Sequence, residues 1–205
     1  MHTYNELLEK VSRHVIHLFT QYEKKDLCYH NLEHTKTVVE RTLQIAAGYD
    51  FGAADLFVLT TSAWFHDTGQ LTGGPEGHEE RSIDIMTAFL KANGVKKTTI
   101  KRVEHCICST MLSQVPHSLI EEILCDADTF NLGTKEFCKT DGLLKKECVL
   151  RNLSINQWEE KTLQLLLSHQ YYTSYCQKLL NKGKEENIAY VRSQLLQLSV
   201  ANSSS

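Results

Sequence analysis

Histidine and aspartate gather at three places in this sequence, and both side chains bind divalent cations and carry protons. The chain has 10 His among 205 residues. The three places are Tyr29-His30-Asn31-Leu32-Glu33-His34, Trp64-Phe65-His66-Asp67 and Cys125-Asp126-Ala127-Asp128. Each adjoins apolar sequence at the edge of an expected helix. Burying imidazole or carboxylate there is costly without partners, and a single divalent cation would partner all of them at once.

Each place has a plainer reading when taken alone. His30 and His34 are four residues apart and would share a helix face, but Asn31 is the expected cap, which leaves His30 outside the helix. An H-x-x-x-H spacing by itself is more often a satisfied pair. His66 and Asp67 diverge by about 100° as helix neighbours. The helix before them is almost wholly apolar, and both can reach an ion just beyond its end. Asp126 and Asp128 alone would read as acidic residues at a helix start.

The elements that must position these groups are helical. Apolar residues recur with helical spacing over 4–22. A second helix is expected from the Asn31 cap to about Ala47, with Val38, Leu43 and Ile45, or nearby combinations, inward. A third, over 53–66, is apolar nearly all round and therefore central. Residues 71–77 read as a Gly-rich loop. Further helices are expected at 76–92, 97–111, 116–130 with Pro116 in the first turn, 135–150 with Gly142 as an interruption, 158–170 after a Ser154/Gln157 capping box, and 184–198. No segment sustains a period of two, so the expected fold is all-α, a single-domain helical bundle over residues 1–205.

Composition narrows the function. Hydrophobic residues make up 41% and charged residues 23%, and the net charge is -3, so no basic field advertises a nucleic-acid polymer or a membrane surface. The 7 Cys are odd in number and form no Cys-x-x-Cys pair. Most sit in apolar runs, as Cys106-Ile107-Cys108 does, and are expected to be reduced core thiols of a cytoplasmic protein. No apolar run resembles a signal peptide or a membrane span.

Taken in order, the three places resemble the HD superfamily, whose pattern is a His, a His-Asp pair and a distant Asp, each from a different helix. The resemblance covers roughly residues 28–132, with helices of 134–199 expected to pack on that core. It implies metal ligation by His34, His66, Asp67 and Asp128. Tyr29-His30-Asn31 is also similar to the opening of the cyclic-nucleotide phosphodiesterase motif, which implies that His30 protonates a leaving oxygen or contacts the phosphate. Two-metal members carry two further His ligands. Gly77-His78-Glu79-Glu80 could supply one, but Thr110 stands where the other is expected, and His105 would face elsewhere. One ion is favoured, with a second possible. The Gly-Tyr-Pro motif of cyclic-di-GMP phosphodiesterases is absent, and Gln70 stands where they place a Lys.

The implied activity is metal-dependent hydrolysis of a phosphate mono- or diester, with a nucleotide or related small phosphorylated molecule as substrate. Mn, Fe, Co, Ni, Zn or Mg would suit the ligands better than Ca. Alongside Asp67 and His30, Glu79 is a candidate to orient the attacking water, and Arg81 and Lys36 are candidate phosphate contacts. The alternative is a non-catalytic nucleotide-sensing module. Oligomeric state is not readable from the sequence.

Overall fold

The computed structural model describes residues 3–111 and 114–203. Among these the regular elements are helices only. They are α1 (Tyr4–Gln21), α2 (Leu32–Ala46), α3 (Ala53–Phe65), α4 (His78–Ala92), α5 (Lys97–Cys108), α6 (Leu119–Asp128), α7 (Phe137–Leu150), α8 (Trp158–Ser168) and α9 (Ser174–Ser203). Two 3-10 helices, Thr68–Leu71 and Phe130–Gly133, follow α3 and α6. The chain divides into two compact units, Met1–Asp128 and Thr129–Ser205.

The first unit is built around α3. Its residues 57–63 and Phe65 are all buried, as a helix apolar on every side requires. α1, α2, α5 and α6 contact it. α1 adds Leu7, Val11, Val15 and Phe19 to the same core, so it belongs to this body although it precedes the segment 28–132. Its start is fixed by a capping box, in which Thr3 Oγ1 accepts from Glu6 N and the Glu6 carboxylate accepts from Thr3 N.

The expected inward face of α2 holds at Val38 and Ile45 but not at Leu43. Thr35, Val38, Val39, Thr42, Ile45 and Ala46 are buried, while Leu43 is 45% exposed. The buried set follows the three- and four-residue helical repeat, and Leu43 lies a step of about 100° from Thr42. Thr35 is tolerated inside because its hydroxyl donates to Asn31 O. α4 begins at His78 rather than Glu76, and α5 ends at Cys108 rather than Met111. α6 begins at Leu119, not Pro116. Ser118 supplies the start there: its Oγ accepts from Glu121 N, and the Glu121 carboxylate reaches back to His117 N.

In the second unit α7 runs straight through Gly142. The Ser154/Gln157 box does not form. Gln157 takes a left-handed conformation ahead of α8 (φ 55°), and Ser154 Oγ accepts from Asn156 N instead. α9 spans 30 residues and starts at Ser174, not Lys184. Gly183 lies inside α9, where a Cβ would stand 2.1 Å from Gly133 O. The glycine permits a close crossing of α9 over the 3-10 helix. Asn187 secures that crossing by donating to Leu132 O and Thr134 O.

No disulfide joins the described cysteines. Burial pushes the Cys106 and Cys125 thiols up to about 12, which keeps them protonated near neutral pH. No described helix is long and apolar enough to cross a membrane.

Candidate metal centre

Three helices of the first unit bring the chemistry together. Asn31 caps α2 by accepting from Glu33 N and His34 N. That cap fixes the first turn of α2 and with it His34. His66 is the C-cap of α3, and Asp67 follows it. Asp128 is the last residue of α6. Because α3 packs against both α2 and α6, the three helix ends meet.

At that meeting point His34 Nε2 lies 3.3 Å from Asp67 Oδ2 and 3.2 Å from Asp128 Oδ1. His66 Nε2 lies 3.2 Å from Asp67 Oδ2 and 3.5 Å from Asp128 Oδ1. The two Nε2 atoms are 3.4 Å apart. His66 Nδ1 is 2.8 Å from Ala63 O, so Nδ1 carries the proton and donates to that carbonyl. Its Nε2 faces the carboxylates and the Nε2 of His34. Donor atoms facing one another in this way repel unless positive charge lies among them.

The residues fit a metal ion. Ligand atoms about 2.0–2.2 Å from one shared ion stand roughly 2.8–3.6 Å from each other, depending on the coordination angle. The distances above fall in that interval. His34, His66 and Asp128 form a candidate metal site by the mutual distances of their ligand atoms, a group that does not include Asp67. Asp67 Oδ2 adds the more telling observation, because it is a buried carboxylate oxygen with no hydrogen-bond partner. It sits within ion-pair distance of both imidazoles and is otherwise unsatisfied, which is costly in a protein interior unless a cation completes the set.

Burial alone would lower His34 and His66, but Asp67 and Asp128 outweigh it and raise both, His66 well above the usual range. Burial likewise opposes ionisation of Asp67 and Asp128. The charges of His66 and His30 hold the Asp67 carboxyl well below its ordinary value, and His34 and His66 do the same for Asp128. The cluster therefore carries ionised carboxylates with positive charge between them.

The other candidates take different places. His30 precedes the α2 cap, with its ring 5.8 Å from that of His34. Tyr29 packs against both rings. Glu79 Oε2 lies 3.2 Å from His78 Nδ1. Arg81 is committed to the loop ahead of α4: its guanidinium donates to the carbonyls of Gly69, Gly74 and Glu76. Lys36 is paired with Glu33 at 2.8 Å on the outside of α2. Thr110 turns its hydroxyl to Ile107 O, and His105 is exposed.

His78, the candidate for a further ligand, lies beside the cluster. Its Nε2 lies 3.2 Å from Asp67 Oδ1, while its Nδ1 donates to Pro75 O at 2.7 Å. Gly69 makes this approach possible, because a Cβ there would stand 2.0 Å from His78 O. Gly69 N also donates to Ser82 Oγ. The cluster is closed at His66, 1% exposed, and opens at Asp128 and His78, 25% and 19% exposed.

Two solved structures share this arrangement of helices. The Lin1889 protein of Listeria innocua matches with a TM-score of 0.59 at 17% identity, over 94% of this chain and 98% of that one. A predicted HD superfamily hydrolase from an uncultured Thermotogales bacterium matches with a TM-score of 0.56 at 20% identity, over 98% of this chain and 99% of that one. The chain has the HD-domain fold. Identities this low carry the fold alone. No family model matches the sequence, and no curated protein matches it. In the HD-domain fold of this chain the expected His, His-Asp and Asp stand at the meeting ends of α2, α3 and α6.

Proposed function

We propose that this HD-domain chain is a metal-dependent phosphohydrolase acting on a phosphate mono- or diester, with a nucleotide or related small molecule as substrate. The observation that carries the reading is the buried, partnerless Asp67 Oδ2 between two imidazole Nε2 atoms. His34, His66, Asp67 and Asp128 would hold one divalent ion. Bound there, it would supply an acidified water and an electrophile for a phosphoryl oxygen. The protein-derived roles follow from position. The cluster opens on the side of Asp128 and His78, which gives a phosphate its direction of approach. His30, outside the α2 cap but near enough for its charge to act on Asp67, is assigned proton donation to the leaving oxygen. Glu79, beside His78 at that mouth, is assigned orientation of the attacking water.

Arg81 is better assigned to holding the loop, because its fork is already engaged by three carbonyls. The test is hydrolysis of a panel of nucleotides and phosphodiesters with added manganese, cobalt or magnesium, read as phosphate release from monoesters and as monoester formation from diesters, and run beside Asp67→Ala. Metal-dependent hydrolysis by the parent and none by the variant is expected. Metal binding without hydrolysis of any member of the panel would favour the sensing module.

A further inference from the structure

The stretch between the 3-10 turn after α3 and the start of α4 is folded around the guanidinium of Arg81. Its Nε donates to Gly69 O at 3.0 Å, its Nη1 to Glu76 O at 2.8 Å, and its Nη2 to Gly74 O. These carbonyls come from both ends of the stretch, so one planar fork closes it into a loop. The chain makes room for that fork. A Cβ at Gly73 would stand 2.7 Å from Arg81 Cζ. Gly77 takes a left-handed conformation (φ 67°) and turns the chain into α4.

The loop delivers His78, which is held at both ring nitrogens. Nδ1 donates at 2.7 Å to the carbonyl of Pro75, inside the loop. Nε2 stands 3.2 Å from Asp67 Oδ1. The main chains of Gly69 and His78 touch, and Gly69 is the residue whose carbonyl Arg81 Nε holds. One oxygen of Asp67 is thereby taken up by His78. The other, Oδ2, has no hydrogen bond and lies within ion-pair distance of His34 and His66.

We infer that Arg81 is a positioning residue for the metal centre: by closing the loop 69–77 it seats His78 against Asp67 Oδ1 and so aims Oδ2 at the ion. The inference rests on the metal reading of the site. It separates cleanly from a role for Arg81 by charge alone. A fixed positive charge beside a cation site opposes the cation, so removing the charge would tighten binding. Removing a brace loosens it. Groups that orient a metal ligand are typically worth about 10–100-fold in affinity. Arg81 acts one step further out than His78 and belongs at the lower end.

The test is manganese(II) affinity and stoichiometry, read from the electron paramagnetic resonance of free manganese. It compares the parent with Arg81→Ala, Arg81→Lys, His78→Ala, the double variant Arg81→Ala/His78→Ala, and Val15→Ala. Arg81→Ala is expected to bind about 10-fold more weakly, and His78→Ala at least as weakly. Arg81→Lys keeps the charge but cannot span three carbonyls, so it should resemble Arg81→Ala. The double variant should bind as His78→Ala does, because both losses run through one contact. Val15→Ala opens space in the core of the same unit. It should lower the melting temperature and leave the affinity alone. Parent-like or tighter binding by Arg81→Ala would overturn the inference, as would parent-like binding by Arg81→Lys. Additive losses in the double variant would also overturn it, and so would equal weakening by Val15→Ala, which would make the effect one of general stability. Loss of a whole equivalent of manganese in His78→Ala would make His78 a ligand rather than a brace. A parent protein that binds no manganese would instead overturn the metal reading, and this inference with it.

Discussion

His66 and His169 are both imidazoles taken out of water, one in each compact unit, and they move in opposite directions. His66 faces Asp67 and Asp128 and is raised well above its ordinary value. His169 faces a hydroxyl and an ammonium and is lowered to about 4. Burial is the largest single influence on both, and it pushes both down. The carboxylates reverse it in the first unit, and nothing does so in the second. The partner set, not depth, decides whether a buried histidine holds positive charge. A site made to hold a cation therefore differs from a site made to hold the chain.

The largest expected effect tests the carboxylate half of that contrast. Asp67→Asn keeps the shape and removes the charge. Metal content after dialysis should fall to background and hydrolysis with it. In the metal-free variant the His66 ring, followed by nuclear magnetic resonance, should titrate lower than in the parent. An unchanged His66 would break the comparison.

Next in size is His30→Ala. Metal binding should persist while turnover drops about 10²–10⁴-fold, the usual contribution of a positioned acid. The loss should shrink on a nitrophenyl phosphate, whose leaving group scarcely needs a proton. Equal loss on good and poor leaving groups would make His30 a binding residue, and loss of metal would make it a ligand.

A third prediction sets the two units against each other by pH, in metal-free protein. His169 is depressed in the folded state, so its protonation favours unfolding. The second unit should lose stability as pH falls from about 6.5, the unfolded value, toward 4. His34 and His66 are raised, so their stabilisation is complete below about 6.5 and is lost as pH rises through their folded values. Asp67 and Asp128 are depressed, and their contribution disappears only as pH falls below about 4. Amide hydrogen exchange should therefore show α8 and α9 weakening at mildly acidic pH, where α2 and α3 hold. His169→Gln should flatten the acid response of the second unit alone.

The smallest effect belongs to Lys36→Ala. An exposed pair such as Lys36–Glu33 is worth about 0.2–1 kcal/mol, so stability should barely change, and KM should stay at the parent value. A KM raised severalfold would return Lys36 to the substrate.

What the sequence could reveal follows from the range of the forces involved. The set His34, His66, Asp67 and Asp128 was legible through the resemblance of its ordered His, His-Asp and Asp to the HD pattern, since each place taken alone has a plainer reading. His78 was legible as a candidate further ligand, but its approach to Asp67 depends on one missing Cβ at Gly69. Arg81 looked like a phosphate clamp because charge is visible in a sequence, whereas the three carbonyls that occupy it are a matter of loop path. Gly142 and Pro116 misled for a related reason. Local rules read a glycine as an interruption and a proline as a start, but α7 runs through Gly142, and Ser118 with Glu121 caps α6. The hold of His169 on Thr129 joins residues 40 apart in sequence, and no short pattern announces it.

The central claim is that one cation belongs among His34, His66, Asp67 and Asp128. Its most direct test is a crystal of the protein soaked in manganese(II) and measured at a wavelength where manganese scatters anomalously. The account predicts a single strong anomalous peak about 2.0–2.2 Å from His34 Nε2, His66 Nε2, Asp67 Oδ2 and Asp128 Oδ1. No peak there, with the four side chains still bonded to one another at full soak, would contradict it.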